Sequence, residues 1–300
     1  MSTPPKLFDR DLLRRRLDRA AAGYAQADFL KARAAQDAAW RLEPIMRRFP
    51  LAVDLGARGG AFRRAVAQSD AADKIDLLIE TEITASMLGP VGARLVADEE
   101  RLPFADSSLD LIVSTLALHW TNDLVGSLIQ ARRALKPDGL FIGSFLGGAT
   151  LTELRQALLE AESELSGGAA MRVSPFADHS DAAGLLSRAG FALPVADVDR
   201  VTVRYAHPIE LLRDLRRMGE TSVLSDRPRK PMTRALLGRA LQIYVERFAE
   251  PDGRVPATFE ILTITGWVPH ESQQKPLARG SAQVGLEEAL SVVRKNRGDA

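Results

Sequence analysis

A short run of acidic and glycine residues near residue 55 is the first feature of the sequence that could bind a ligand. The run Asp54-Leu-Gly-Ala-Arg-Gly-Gly60 follows the apolar stretch Leu51–Val53. Glycines after a buried strand let backbone N–H groups approach a ligand closely, as in nucleotide-binding α/β folds. The candidate cofactor-binding residues here are Asp54, Gly56, Gly59 and Gly60. The same glycines would also suit a tight strand-to-helix turn without a ligand, and this alternative stays open.

Acidic residues close the next two apolar runs. Glu80 follows the glycines by about twenty residues, where an acid commonly accepts hydrogen bonds from ribose hydroxyls. Asp98 and Glu99 close the third run. Because the carboxyl ends of parallel strands meet at one edge of a sheet, we expect these acids to lie near Asp54. Glu82 could replace Glu80 if the strand ends two residues later, and either acid could be a solvated strand end.

A histidine and a tryptophan follow the fourth apolar run. His119 could serve as an acid or base near neutral pH, and Trp120 could stack on a substrate or cofactor. A hydrogen-bonded histidine and a tryptophan that fills the joint between strand and helix would explain them equally well. His179 and Asp181 have the spacing of an iron-binding pair, but Asp181 also suits a helix N-cap and no distal histidine is placed nearby. We therefore predict no metal site.

The elements that must position these residues follow from the periodicity of the chain. Seven short apolar runs predict strands, at residues 51–55, 74–80, 93–97, 109–115, 140–143, 191–205 and 258–268. Helical stretches separate them, and this alternation favours a doubly wound α/β fold with a parallel sheet. Predicted domains are an N-terminal helical cap (1–48), the α/β domain (49–269) and a polar tail (270–300). Two helices predicted within 208–253, before the last strand, would form a lid.

Composition excludes several classes of protein. The 300 residues carry a net charge of +1 and no cysteine, which argues against nucleic-acid binding and excludes thiolate catalysis, disulfides and iron–sulfur ligation. A hydrophobic fraction of 46% is enough for a full core. The chain has no apolar run of the roughly 18 residues that a membrane span needs, and acidic residues lie close to Met1. We expect a cytoplasmic protein without a transmembrane segment.

The strand-ending acids and the turn Leu102-Pro-Phe104 resemble the class I S-adenosylmethionine-dependent methyltransferases. In that family the glycine turn holds the methionine part of the cofactor, and the acids after strands two and three hold the ribose and the adenine. The resemblance gives these roles to Asp54, Gly56 and Gly60, to Glu80, and to Asp98. Arg58 stands where the family has its middle glycine, and Gly59 could let the turn reshape.

Further segments resemble one branch of this fold, the mitochondrial complex I assembly factor 5 family and its bacterial relatives. They include Phe8-Asp-Arg-Asp-Leu12, Leu116-Ala-Leu-His-Trp120, Leu135-Lys-Pro-Asp-Gly139, Met218-Gly-Glu220 and His270-Glu-Ser-Gln273. The resemblance covers nearly the whole chain. It implies hydroxylation of an arginine in an iron–sulfur subunit of NADH–quinone oxidoreductase. Other relatives include the malonyl-carrier-protein methyltransferase of biotin synthesis.

Glu220 and Glu271 lie in the segments most particular to this branch. Carboxylates bind an arginine side chain bidentately, so both are candidate catalytic residues together with His119 and Trp120. As surface glutamates they would need no explanation. Three functions remain open: a protein arginine hydroxylase that binds S-adenosylmethionine, a conventional methyltransferase of a small molecule or acyl carrier protein, and a non-catalytic assembly chaperone.

Overall fold

A seven-stranded β-sheet forms the centre of the computed structural model of the protein. The structure describes residues 6–168, 170–228, 231–274 and 285. The strands are β1 (Phe49–Leu55), β2 (Ile75–Glu82), β3 (Ala93–Val96), β4 (Leu109–Thr115), β5 (Leu135–Leu146), β6 (Ala192–Tyr205) and β7 (Val255–Trp267). Each of the seven predicted strands is present, and the predicted α/β fold class is confirmed.

The sheet is doubly wound. Its strand order is β3-β2-β1-β4-β5-β7-β6, and β7 runs antiparallel between β5 and β6 while the other neighbours are parallel. The chain moves outward from β1 to β3 and then begins the other half of the sheet at β4. In open sheets of this kind ligands bind at that reversal, beyond the carboxyl ends of the strands. The ends of β1 and β4 are therefore where a site is expected.

Helices cover both faces of the sheet. They are α1 (Arg10–Ala20), α2 (Phe29–Leu42), α3 (Ala61–Ala67), α4 (Leu124–Ala134), α5 (Thr152–Ser166), α6 (His179–Ala189), α7 (Pro208–Arg217) and α8 (Arg234–Phe248). The cluster formed with α2 and α3 includes Val113 of β4, whereas the cluster formed with α4 and α6 includes Ile112. Neighbouring side chains of a strand point to opposite faces, so this split shows two buried layers.

Several element boundaries differ from the sequence prediction. β2 ends at Glu82 rather than Glu80, because the carbonyl of Thr81 accepts hydrogen bonds from the N–H groups of Gly56 and Ala57 and keeps the strand extended. β5 begins at Leu135, since Pro137 disfavours a helical conformation at the residue before it. Of the helical stretches expected between strands, the one between β2 and β3 is a single 3-10 turn at Ala85–Met87.

The predicted helical insertion before the last strand contains α7 and α8. Gly219 follows α7 with a φ of +76°, and the N–H of Glu220 donates to the carbonyl of Leu215. This is the hydrogen bond by which a left-handed glycine ends a helix. Beyond it, Phe8 and Leu224 form an antiparallel bridge, so the start of the described chain is fastened to the insertion.

The chain divides into two compact units, 1–269 and 270–300. In the second unit only 270–274 and 285 are described, so most of the predicted polar tail lies outside the described residues. The domain boundaries at 48 and 269 stay predictions. Among the described residues, no helix has the length and apolar character needed to cross a membrane.

Candidate functional site

Asp54 lies at the strand reversal, near the carboxyl end of β1. Its side chain is fully buried, and neither carboxylate oxygen has a hydrogen-bond partner among the described residues. Burial raises the pKa of Asp54 to about 6, against the opposing charge of Lys31. A buried carboxylate without donors is costly, so this position favours a ligand that brings hydrogen-bond donors or positive charge.

The glycine turn places bare backbone beside these acids. Gly56 and Gly60 have positive φ values of 72° and 75°. A Cβ on Gly56 would lie 2.3 Å from the Cβ of Ala117, and one on Gly60 would lie 2.8 Å from Oε1 of Glu80. Only glycine fits at these two positions, which leaves the turn close to Glu80. Gly59 is also left-handed, with a φ of 76°.

Two glutamates of β2, Glu80 and Glu82, are candidates for the ribose-binding role that was predicted for Glu80. Oε1 of Glu80 accepts from Nε of Arg63 at 2.8 Å, while its Oε2 is buried without a partner among the described residues. Glu82 closes the strand and accepts from the backbone N–H groups of Arg58 and Ile83, at 3.2 and 3.0 Å. Burial raises the pKa of Glu82 to about 7. Glu80 is not the last residue of β2, so the alternative residue Glu82 occupies the strand end.

Asp98 and Glu99 follow β3 and share one arginine. Arg10 of α1 donates to Oδ1 of Asp98 at 2.6 Å and to Oε2 of Glu99. It also donates to the backbone carbonyl of Trp120 at 3.3 Å. Arg10 therefore links the start of the described chain to the ends of β3 and β4.

Lys31 is a site residue that the sequence analysis missed. It lies on the buried face of α2, and its Nζ donates to the carbonyls of Gly56 and Thr115, at the ends of β1 and β4. Burial lowers the pKa of Lys31 to about 8, although the charge of Asp54 opposes this. The available signal was a lysine among the small apolar residues that recur every three or four positions in α2, at Ala34, Ala35 and Ala38.

Arg58 keeps the left-handed conformation of the glycine it replaces. Its φ is 38°, which is rare for a long side chain. The turn has not moved the strain onto Gly59 alone, because Arg58, Gly59 and Gly60 are all left-handed. The guanidinium is buried and donates through one Nη to Oε1 of Glu220. Arg58 therefore pairs with a neighbouring carboxylate.

Three side chains contact the carboxylate of Glu220: those of Arg58, His119 and Trp120. Besides Arg58, Nε2 of His119 lies 2.9 Å from its Oε2, and Nε1 of Trp120 donates to the same oxygen at 2.8 Å. Burial would raise the pKa of Glu220, but the charges of Arg58 and His119 and their hydrogen bonds together outweigh it, and the pKa falls to about 2. Glu220 is therefore ionised at neutral pH and held by rigid donors.

His119 and Trp120 lie in the 3-10 turn after β4, as the sequence predicted. Both side chains are buried, and Trp120 packs edge-on against Phe8 with ring centroids 5.4 Å apart. Nδ1 of His119 is buried without a partner among the described residues. If Nε2 carries the proton that Glu220 accepts, Nδ1 presents a lone pair.

Two cavities meet at Glu220. The inner cavity has a volume of only about 20 Å³ and is lined by Tyr24, Lys31, Arg58 and His119, among others. The outer groove has a volume of about 520 Å³ and reaches both Trp120 and Glu220. Most of its lining residues are apolar, including Leu154, Phe176 and Leu215, but four arginines also line it: Arg16, Arg172, Arg216 and Arg227. Glu220 thus faces a large groove on one side and a filled interior on the other.

Two further predictions concern Glu271 and Asp181. Glu271 is exposed and belongs to the second compact unit. Asp178 rather than Asp181 caps α6, and its side chain accepts from the N–H of Ser180. Within the described ranges, no group of three or more histidine, aspartate or glutamate side chains is arranged to hold a metal ion.

The residues present fit the donors of S-adenosylmethionine. The cofactor offers an ammonium group, ribose hydroxyls and an adenine amine, all of which donate hydrogen bonds. The edge offers acceptors without a described partner on Asp54 and Glu80, a glycine cradle, and the acids Glu82 and Asp98. Arg10, Arg63 and Lys31 already satisfy part of this edge, so a cofactor would have to exchange with these cations.

Comparison with known proteins shows which families the chain resembles. A methyltransferase domain family model matches residues 53–143. The chain is 40% identical to the arginine-hydroxylase NDUFAF5 of Danio rerio, over 98% of this chain and 92% of that protein. It is 41% identical to the human protein of that name, over 96% and 85% of the two chains. A malonyl-[acyl-carrier protein] O-methyltransferase of Halorhodospira halophila is 32% identical, over 87% and 88%.

Solved structures support the fold. The YcgJ protein of Bacillus subtilis superimposes with a TM-score of 0.52 at 16% identity, covering 79% of this chain and 98% of that one. Phosphoethanolamine N-methyltransferase 2 of Haemonchus contortus, solved with S-adenosyl-L-methionine, has a TM-score of 0.52 at 14% identity, covering 86% and 60%. Sequence identity separates these fold neighbours, at 14–16%, from the relatives found by sequence, and at 40–41% identity over nearly its whole length the chain belongs to the NDUFAF5 arginine-hydroxylase family of the methyltransferase superfamily.

Proposed function

We propose that this protein is an S-adenosylmethionine-binding enzyme that hydroxylates an arginine side chain of a protein substrate. The proposed substrate is an iron–sulfur subunit of NADH–quinone oxidoreductase during assembly. The observation that carries the proposal is Glu220, an ionised carboxylate at the inner end of a groove of about 520 Å³. A guanidinium is the group that a fixed carboxylate binds best, because the two match in charge and shape.

The groove supports a polypeptide as substrate. Its apolar wall can receive the aliphatic part of an arginine and the side chains that flank it, while Glu220 receives the charged end. His119 and Trp120 fix one carboxylate oxygen, so the bound guanidinium would be held in a single orientation. Such orientation is a large part of what an enzyme contributes to a reaction.

The cofactor would be held at the edge of the sheet. Asp54, Gly56, Gly59 and Gly60 would contact its amino-acid part, Glu82 or Glu80 its ribose, and Asp98 with Glu99 its adenine. When bound, S-adenosylmethionine supplies an electrophilic methyl group on a sulfonium centre. We assign the role of proton acceptor to Nδ1 of His119, which lines the inner cavity and has no hydrogen-bond partner among the described residues.

The mass of the substrate subunit tests the proposal. We would compare that subunit from wild-type cells, cells lacking this protein, and cells carrying Glu220→Gln or the exposed control Glu164→Gln. We expect one arginine peptide to lose the mass of one oxygen atom in the deletion and in Glu220→Gln, but not in the control. An arginine peptide with unchanged mass, together with failed assembly, would instead indicate a non-catalytic chaperone.

A second candidate is a conventional methyltransferase of an acyl carrier protein or small molecule. It is favoured by the 32% identity to the malonyl-[acyl-carrier protein] O-methyltransferase over most of both chains. Loss of the mass of one methylene group from the product would support it. The named arginine-hydroxylase relatives are mitochondrial, so the cytoplasmic location expected from the sequence stays a prediction.

A further inference from the structure

Arg58 presents a guanidinium to the carboxylate that we assign to the substrate arginine. The contact is a single hydrogen bond to Oε1 of Glu220, and Nε of Arg58 is buried without a partner among the described residues. Oε2 of Glu220 is held by His119 and Trp120 instead. Oε2 is therefore held by the two aromatic rings. Among the described residues, only Arg58 donates a side-chain hydrogen bond to Oε1.

A second guanidinium cannot simply be added. The inner cavity beside Arg58 has a volume of about 20 Å³, which is room for little more than one water molecule. A substrate guanidinium that reached Oε1 from the groove would lie against that of Arg58, and two buried like charges repel strongly. Substrate binding at Glu220 therefore requires Arg58 to leave.

The site can keep its shape when Arg58 leaves. His119 and Trp120 still hold the carboxylate, and Glu220 is still placed by the end of α7. Glu82 offers a second carboxylate to Arg58, whose own backbone N–H already donates to it at 3.2 Å. The backbone of Arg58 has a left-handed φ of 38°, which glycine would adopt without strain. The protein therefore has an arginine side chain at a position where glycine would be less strained.

We propose that Arg58 is an internal substitute for the substrate arginine, which occupies Glu220 until the substrate guanidinium displaces it. This inference rests on the proposed function. It makes Arg58 a specificity-determining residue, because only a side chain that competes successfully with a guanidinium can enter. It also joins substrate binding to the cofactor turn, since Arg58 belongs to that turn.

Calorimetric titration of the full-length protein tests the exchange. The probes are N-acetylarginine amide and N-acetylcitrulline amide, which differ chiefly in charge. We expect Arg58→Gly, which suits the left-handed turn, and Arg58→Met, which keeps an apolar stem, to bind the arginine probe at least about tenfold more tightly than wild type. Glu220→Gln should lose the preference for arginine over citrulline. Arg41→Ala, which removes an ion pair to Asp37 outside both cavities, is the control.

Each result bears on one of the two proposals. Tighter binding by the Arg58 variants supports the exchange, even if wild type binds the probe too weakly to measure. Unchanged or weaker binding by both variants, with a wild-type preference for arginine that Glu220→Gln abolishes, overturns the exchange but leaves the proposed function standing. No preference for arginine in wild type or in the Arg58 variants contradicts both.

Discussion

At the scale of single residues, buried groups of opposite charge lie together at the carboxyl edge of the sheet, which we call the cofactor edge. Asp54 and Glu82 have raised pKa values, of about 6 and 7, while the buried Lys31 has a pKa lowered to about 8. Lys31 lies close enough to both acids to oppose their shifts. Such clusters are costly in an interior without a ligand, and perturbed groups of this kind concentrate at functional sites.

Replacing Glu82 should change how stability depends on pH. The pKa of Glu82 is raised from 4.5 to about 7 in the folded protein. Its contribution to the free energy of unfolding is therefore fully present below pH 4.5 and is lost as the pH rises through 7. In Glu82→Gln this loss should disappear, which would flatten the profile by about 1 to 3 kcal/mol. Urea unfolding of both proteins between pH 5 and pH 8 measures it. A variant that loses stability over this range as steeply as wild type would contradict the prediction.

Asp98 should contribute modestly to cofactor binding. Asp98→Ala removes one acceptor for the adenine amine, at a cost of roughly 0.5–1.5 kcal/mol, or a few-fold to tenfold in affinity. The fold should survive, because the side chain is 29% exposed and Glu99 still pairs with Arg10. Calorimetric titration with S-adenosylmethionine gives the affinity, with the exposed Asp106→Ala as control. Equal affinities in all three proteins would show that Asp98 is only a strand end.

Sequence pattern located the acids of the site but not their cationic partners. Asp54, Asp98, His119 and Trp120 each follow an apolar run, so the rule that parallel strands end at one edge was enough to predict them. Arg10, Lys31 and Arg63 reach this edge from helices. Their approach depends on how α1, α2 and α3 pack, which local periodicity does not specify. Glu220 was predicted from family resemblance, and no spacing rule places it beside His119.

The turn at the C-terminal end of α7 sets the direction of the Glu220 side chain. Gly219 must be left-handed for the chain to turn, and a Cβ at this position would lie 2.8 Å from Cδ2 of Leu17 in α1. The direction of Glu220 therefore depends on a glycine and on the packing of α1, rather than on the insertion alone.

Gly219→Ala should weaken both stability and substrate binding. We expect a loss of about 1 to 3 kcal/mol, from left-handed strain and the contact with Leu17, together with weaker binding of N-acetylarginine amide. Gly238→Ala in α8 is the matched control. The added Cβ would meet no atom within 4 Å, and the substitution should stabilise the protein by about 0.5–1 kcal/mol. Thermal unfolding and calorimetry compare the two, and a Gly219→Ala protein as stable as the control would refute this account.

Element boundaries show where sequence reasoning reaches its limit. The strand at 109–115 was predicted with its observed bounds, because its apolar centre at 111–113 is buried on both faces. β2 and β5 were predicted too short, since their ends are polar and extended only through tertiary hydrogen bonds or through Pro137. The 3-10 turn after β2 is too short for helical periodicity to distinguish it from a helix.

At the scale of the whole molecule, the beginning of the described chain closes the site. The N–H of Asp9 donates to the carbonyl of Val223 at 2.8 Å, and that of Ser225 donates to Leu7 at 2.9 Å. Asn122 adds two hydrogen bonds to the backbone of Phe8. This short pairing ties α1, the turn after β4 and the segment after Glu220 into one assembly.

Phe8→Ala should loosen that assembly. Phe8 is buried against Trp120, and truncating a buried phenylalanine costs about 3–5 kcal/mol. We expect a fall of this size in the free energy of unfolding in urea and faster proteolysis within 221–228. Leu7→Ala, at an exposed neighbour, should change stability by less than about 1 kcal/mol. Similar losses in the two variants would argue against a closing role for Phe8.

The bridge between Phe8 and Leu224 also sets an order of events during synthesis. Phe8 is translated long before its bridge partner, Leu224. Domains made during translation usually fold from the N-terminus onward. Here β1 to β5 can form while Phe8 still lacks its partner and Glu220 does not yet exist. A nascent chain stopped before residue 220 would therefore carry the acids at the sheet edge without the carboxylate that we propose to bind the substrate.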